Sequence, residues 1–235
     1  MSFVIEPTTP VGTIARFFPD AIDVFESLDI DYACFGNRSL ADAAATSGVD
    51  LDDALAMLAA GRSSDDQTEM SLPDLIHRII TEHHRIDREL MRDLVRRLGP
   101  RDQLDGEVAR IGRLLSSLAQ SLGPHMRREE RELFPLAEEL ALHPHRIRVG
   151  SISRRLLNEF VEHGILHERI QKMRSCVLRL RVQGFHDKQL LDDLDAFEKM
   201  AHRHIHLETN VLAPRVLELE NQLRADRAQL AQLPL

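Results

Sequence analysis

The sequence predicts an all-α protein, an up-down four-helix bundle preceded by a small helical domain, and three observations carry that prediction. The first is an internal repeat, in which His125 to Pro135, HMRREERELFP, aligns without a gap with His204 to Pro214, HIHLETNVLAP. The second lies upstream: Glu82-His83-x-x-Ile86 answers Glu162-His163-x-x-Leu166, and the histidines precede those of the repeat by 42 residues in the first copy and 41 in the second. A repeat of about 80 residues holding helix, turn and helix is a unit that cannot bury its apolar faces alone, and two such units make a four-helix bundle. The third is composition. Of 235 residues 43% are hydrophobic but only 4% aromatic, with no Trp, so packing rests on Leu, Ile, Val and Ala.

The chain divides into a helical domain over 1–61, a linker over 62–70, the bundle over 71–223 and a tail over 224–235. In the first domain Thr9 can cap a segment holding Val11, Ile14 and Phe17, and Asp20 opens a second with Ile22, Phe25 and Leu28. Ser39 begins a third helix that closes at Gly48, and Asp50 a fourth that closes at Gly61. Between the second and third lies the loop Asp31 to Leu40, which holds Cys34. Arg62 to Met70 is polar and lacks apolar periodicity, which marks a linker.

Ser71 caps the first bundle helix, with Pro73 and Asp74 in its first turn. Its apolar stripe runs Leu72, Leu75, Ile76, Ile79, His83, Ile86, Leu90 and Leu94 at the 3.6 period, and Gly99-Pro100 ends it. Adjacent residues point about 100° apart, so the stripe selects His83 for the core over its neighbour His84. The second helix spans about Leu104 to Leu142, with a bend expected at Pro124 because proline removes a backbone hydrogen bond. The third runs about Ser151 to Val182 and turns at Gly184; the fourth runs about Asp187 to Leu223, and the remainder reads as a fraying tail. His77 falls off the stripe, His143 and His145 lie in a connector, and His202 and His206 flank His204 on other faces.

Residues i and i+4 of a helix share a face, so His125 with Glu129, and His204 with Glu208, each present an imidazole and a carboxylate in one direction. With 12 histidines about one such pair is expected by chance. Chance does not repeat the following Leu and Pro in register, nor the upstream Glu-His. One His per helix and two Glu give four nitrogen and two carboxylate donors, a set suited to iron, manganese or zinc, and two bridging carboxylates favour a pair of ions. The ligand set is His83, His125, Glu129, His163, His204 and Glu208. His167, one turn after His163, is a candidate additional ligand or a group hydrogen-bonded to the site. Glu162 is a candidate proton or access-channel group.

These residues resemble the hemerythrin-like proteins of the Repair of Iron Centres family, and the resemblance covers nearly the whole chain. It implies a hemerythrin-like bundle with two carboxylate-bridged non-haem iron ions at those six positions, and repair of iron-sulfur clusters damaged by nitrosative or oxidative stress, with damaged iron-sulfur proteins as partners and iron donation as the means. The first domain is similar to the one that precedes the bundle in that family, where the loop reads Asp, aromatic, Cys, Cys, Gly, Gly. Here Ala33 replaces the first Cys and Phe35 the first Gly. A vicinal disulfide is therefore impossible, and Cys34 would need glutathione or a second chain to cycle. Cys34 is a candidate to bind a ligand or nitric oxide, against the alternative of a simply buried cysteine.

Two other functions remain open: a protein that binds or reduces oxygen or nitric oxide at the di-iron centre, and a redox sensor whose first domain reports on the bundle. A net charge of -8 argues against nucleic acid or an anionic membrane as partner. The start of the chain lacks signal-peptide features, there is no long apolar run, and two cysteines, Cys34 and Cys176, are too few for a disulfide framework, so a soluble cytoplasmic protein is expected. A homodimer is among the candidate assemblies.

Overall fold

The computed structural model describes residues 4–60, 70–98, 106–148 and 150–230. The closing Gly61, the linker up to residue 69, the Gly99-Pro100 stop, the Leu104 start and the last five residues of the tail lie outside them. All regular structure among the described residues is helical, apart from a single bridge between Pro10 and Ser39.

The N-terminal domain contains α1 (Val11–Phe17), α2 (Ala21–Ser27), α3 (Leu40–Ser47) and α4 (Leu51–Ala60). Ser39 caps α3 by accepting from the Asp42 amide at 3.1 Å, and Gly48 closes it in the left-handed conformation at φ 70°. The Asp50 carboxylate accepts from the Asp52 amide at 2.8 Å at the start of α4. Thr9 does not cap α1. Pro10 takes that position, and the Thr9 hydroxyl instead accepts from the Glu6 amide.

The bundle has four rods. The first joins α5 (Leu72–Arg78) to α6 (Arg85–Leu98) through a π-helical turn, Ile79–His84. The second joins α7 (Glu107–Arg128) to α8 (Phe134–Leu142) through Glu129–Leu133; the third is the uninterrupted α9 (Ser151–Val182); the fourth joins α10 (Lys188–His206) to α11 (Ala213–Leu230) through Leu207–Leu212. α7 continues through Pro124, so the change of hydrogen bonding expected there falls five residues later. Pro135 and Pro214 explain two of the π turns. A proline ring collides with the carbonyl four residues back and donates no hydrogen bond, and a turn wound wider just before it relieves both conflicts.

The last helix extends beyond the expected end at Leu223, through Leu230, because Arg227 donates to the carbonyls of His145 and Ile147 in the α8–α9 connector. Nearby, the Glu220 carboxylate accepts from the amides of Gly150, Ile152 and Ser153 and satisfies the free N–H groups at the start of α9.

Two apolar layers fill the bundle. One is built around Leu94, Leu98, Ile111, Leu115, Met173 and Phe197, the other around Ile76, Ile79, Phe134, Ile152 and Val216. Between them lie buried His84, His125, Glu129, His163, His204 and Glu208. The polar layer is therefore closed off from water at both ends.

The N-terminal domain packs directly on the fourth rod, and its core of Val11, Ile14, Phe25, Tyr32 and Leu40 includes Ile205 of the bundle. Arg203 donates to Asp23 at 2.6 Å and to Glu26 at 2.8 Å, while the Asn210 side-chain amide donates to the carbonyls of Tyr32 and Ala33 at 3.1 and 2.8 Å. Gly12 and Gly36 let the chains approach this closely. A Cβ on Gly36 would lie 2.8 Å from the Tyr32 carbonyl oxygen and against the Asn210 amide. We expect Gly36→Ala to cost about 1–3 kcal/mol, the usual scale of overpacking, and to loosen the docked domain. Urea denaturation with limited proteolysis checks this; a variant as stable and as resistant as wild type would refute the close-packing account.

Candidate metal centre

The six buried side chains form two overlapping clusters that share both carboxylates. His84 and His204 meet Glu129 and Glu208 on one side; His125 and His163 meet the same two on the other. Glu208 lies 3.1 Å from His84 Nε2 and 3.0 Å from His204 Nε2, and its other reach is to His163 Nε2 at 3.1 Å. Glu129 lies 3.3 Å from His125 Nε2, 3.6 Å from His84 Nε2 and 3.8 Å from His163 Nε2. All four imidazoles point Nε2 inward.

The outward nitrogens are each held. His204 Nδ1 pairs with Asp87 at 2.8 Å, His84 Nδ1 with Glu130 at 2.8 Å, His125 Nδ1 with Glu162 at 2.9 Å and Glu159 at 3.0 Å, and His163 Nδ1 with the Thr209 hydroxyl at 3.0 Å. A carboxylate can only accept, so in its neutral form each of the three imidazoles facing one carries its proton on Nδ1 and turns the Nε2 lone pair into the cluster. Arg88 and Arg128 pair in turn with Glu130 and Glu162. This is the arrangement by which proteins orient imidazole toward a cation.

The electrostatics ask for positive charge. Burial and the neighbouring Glu208 push the Glu129 carboxyl well above the usual carboxylate range. Burial would do the same to Glu208, but the charge of His204 and the imidazoles of His163 and His84 beside it outweigh it and hold that carboxyl well below. Burial alone would lower His204; Glu208 and the Asp87 hydrogen bond raise it instead. His163 is lowered by burial. Both Glu129 oxygens and Glu208 Oε2 are buried with no hydrogen-bond partner, an arrangement that costs several kcal/mol per charge unless something positive is shared among them. Inward-facing Nε2 atoms 3.0 Å apart between His84 and His204, and 3.1 Å apart between His125 and His163, crowd donor nitrogens of one kind around the same space. The residues fit cation binding by imidazole and carboxylate, and Glu129 and Glu208 fit bridging between two positions.

Five of the six sequence-predicted ligands meet here; His83 does not. His84 takes its place, and His83 lies beside the cluster with Nδ1 unpaired and its imidazole lowered by burial to about 4. The π turn Ile79–His84 is the reason. It adds a residue to the turn and moves the downstream face on by one, from His83 to His84, after which Asp87, Met91, Leu94 and Leu98 follow as the buried stripe. His167 is also outside both clusters, 3.2 Å from Asp31 of the N-terminal domain. Glu162 touches His125 and lines the outward cleft, alongside Glu159. Cys34 is half-buried with Sγ 3.9 Å from the His163 carbonyl, and burial followed by the Asp31 charge pushes its thiol up, so it is a thiol at neutral pH.

Asp87, Glu130, Glu159 and Thr209 were not foreseen as supporting groups. A signal for the first rod was present: His84 lies 41 residues before His125, as His163 lies 41 before His204.

The fold and site define a helical-bundle cation-binding protein of the histidine and carboxylate class. Residues 74–216 match the hemerythrin HHE cation binding domain, and residues 7–61 match a domain of unknown function, ScdA_N (DUF542). The chain belongs to the hemerythrin HHE family and, with this pairing of domains, to the Repair of Iron Centres group within it. Relatives from Salmonella paratyphi B (strain ATCC BAA-1250 / SPB7), Salmonella newport (strain SL254) and Salmonella agona (strain SL483), each called iron-sulfur cluster repair protein YtfE, are 30% identical over 215 residues, covering 88% of this chain and 96% of each relative. Among the described residues no helix is long and apolar enough to cross a membrane.

His84→Ala should therefore remove most bound metal while His83→Ala leaves it, and Asp87→Asn should weaken binding by roughly 10–100-fold through the freed His204 ring. Metal content after dialysis against a chelator distinguishes these; retention by His84→Ala with loss in His83→Ala would restore the register read from the 3.6 period.

Proposed function

We propose that the bundle holds two iron ions, His84 and His204 serving one, His125 and His163 the other, with Glu129 and Glu208 bridging, and that the protein repairs iron-sulfur clusters damaged by nitrosative or oxidative stress by donating iron. The observation that carries this is the sharing of both buried carboxylates between two histidine pairs. Repair as such accords with the family; the donor role and the kind of stress belong to this proposal.

Iron supplies Lewis acidity and exchangeable coordination when bound. The chain's part is to hold it loosely enough to leave. Two imidazoles and two shared carboxylates per ion fall short of six donors, with no thiolate among them. Glu159 and Glu162 extend the carboxylate set outward from His125 toward the surface cleft, where Arg128 and Glu132 also lie. Carboxylates spaced along such a path would pass a cation by exchange of ligands.

His167, the candidate additional ligand, pairs with Asp31 and adds no fifth imidazole to either cluster. A sensor that works through Cys34 needs thiolate, which burial disfavours.

Two tests address the proposal. Anaerobic protein should carry about two iron atoms per chain, with the Mössbauer signature of a coupled pair, and should restore activity to an oxidatively damaged iron-sulfur enzyme while losing iron to it. A stoichiometry near one, or repair with no iron leaving the bundle, would contradict it. Cys34→Ser should keep its two irons, since no cluster contains sulfur, and should slow only repair; loss of iron in that variant would make Cys34 a ligand.

A further inference from the structure

We propose that Asp31, His167 and His202 form a second cation site, taking one divalent transition-metal ion at the junction of the two domains. The three residues come from the loop between α2 and α3, from α9 and from α10, and all line one cavity of about 460 Å³. None belongs to the Glu129 and Glu208 clusters. The site stands independently of what those clusters bind.

The loop aims the carboxylate. Asp31 Oδ1 accepts from the backbone amides of Ala33 and Cys34, both at 3.0 Å, which leaves Oδ2 directed at His167 Nε2, 3.2 Å away. Two donors each about 2.1 Å from one ion and near a right angle apart stand about 3 Å from each other, so this pair already has the spacing of neighbouring ligands. Phe35 packs edge-to-face on the His167 ring at 5.4 Å between centroids and restrains it. Phe35 is also the residue by which this loop departs from the Gly of the family pattern.

His202 supplies the third donor. Its ring centroid is 5.8 Å from that of His167, with the planes 36° apart, and imidazoles sharing an ion place their centroids roughly 4.5–6 Å apart. A change of the His202 rotamer would complete the approach. An ion pair between Asp31 and His167 would by itself explain one contact. It would not explain why His202 Nε2, on the cavity the three residues share, is shielded from solvent and without a hydrogen bond. Two imidazoles and one carboxylate with open positions suit ferrous iron, cobalt or zinc. A cation here would fasten the Cys34 loop to α9 and α10 and tie domain docking to metal supply.

The test counts cobalt. Metal-free wild type, His202→Gln and Asp31→Asn are each dialysed against Co²⁺, and cobalt per chain is measured by elemental analysis, with circular dichroism to check folding. Wild type should carry one more equivalent than either variant. Equal cobalt in wild type and His202→Gln would overturn the site, as would a loss confined to Asp31→Asn, which would mark a docking ion pair alone. Failure of the di-iron reading would instead lower all three counts together and leave their difference at one.

Discussion

Two carboxylates, Glu129 and Glu208, sit fully buried in the middle of a helical bundle and face four imidazoles, and the rest of the molecule is arranged around that placement. Charge in an apolar interior is tolerated only where neighbours neutralise and orient it. Here the neighbours come from all four rods, so the bundle cannot form its polar layer until every helix is in register. The apolar layers on either side do more than supply packing energy. They exclude the water that would otherwise solvate the carboxylates, and so make the cluster hold positive charge instead.

Register is controlled by the π turns. Three rods carry one, at Ile79–His84, Glu129–Leu133 and Leu207–Leu212, and each lies at the polar layer. A helix that supplied ligands at strict α spacing would have to choose between pointing its carboxylate inward and keeping its apolar stripe continuous above and below. One extra residue in the turn lets both faces point inward. Pro135 and Pro214 hold two of these turns open, which gives the prolines of the repeat a structural reason beyond their use as markers.

That same device sets how far the sequence could be read. The repeat exposed the helix count, the rods and five of the six clustered residues, because His-x-x-x-Glu-x-x-x-Leu-x-Pro recurs with its environment intact. His83 was misplaced because a 3.6 period was carried straight through a turn that does not keep it. The supporting partners were less legible for a different reason: Asp87 and Glu130 reach histidines on other rods, His204 and His84, and pairings between helices leave no trace in local periodicity. Asp87 does fall on the stripe once it is counted from His84.

Domain docking was least legible, since a polar linker read in isolation implies two independent units. The structure joins them through Asn210, two residues beyond the bridging Glu208, whose amide holds the carbonyls of Tyr32 and Ala33. The loop that carries Cys34 is therefore fixed to the same turn of helix that supplies a carboxylate to the metal layer. Any change in the winding of Leu207–Leu212 would be felt at Gly12 and Gly36, where there is no space to absorb it. Cys34 is then neither remote from the centre nor part of it: burial keeps it a thiol, and its Sγ faces the backbone of His163 rather than the imidazole. A role for this cysteine in repair has to come from an opening of the docked loop, because the closed arrangement offers it no partner for electron or ligand transfer among the described residues.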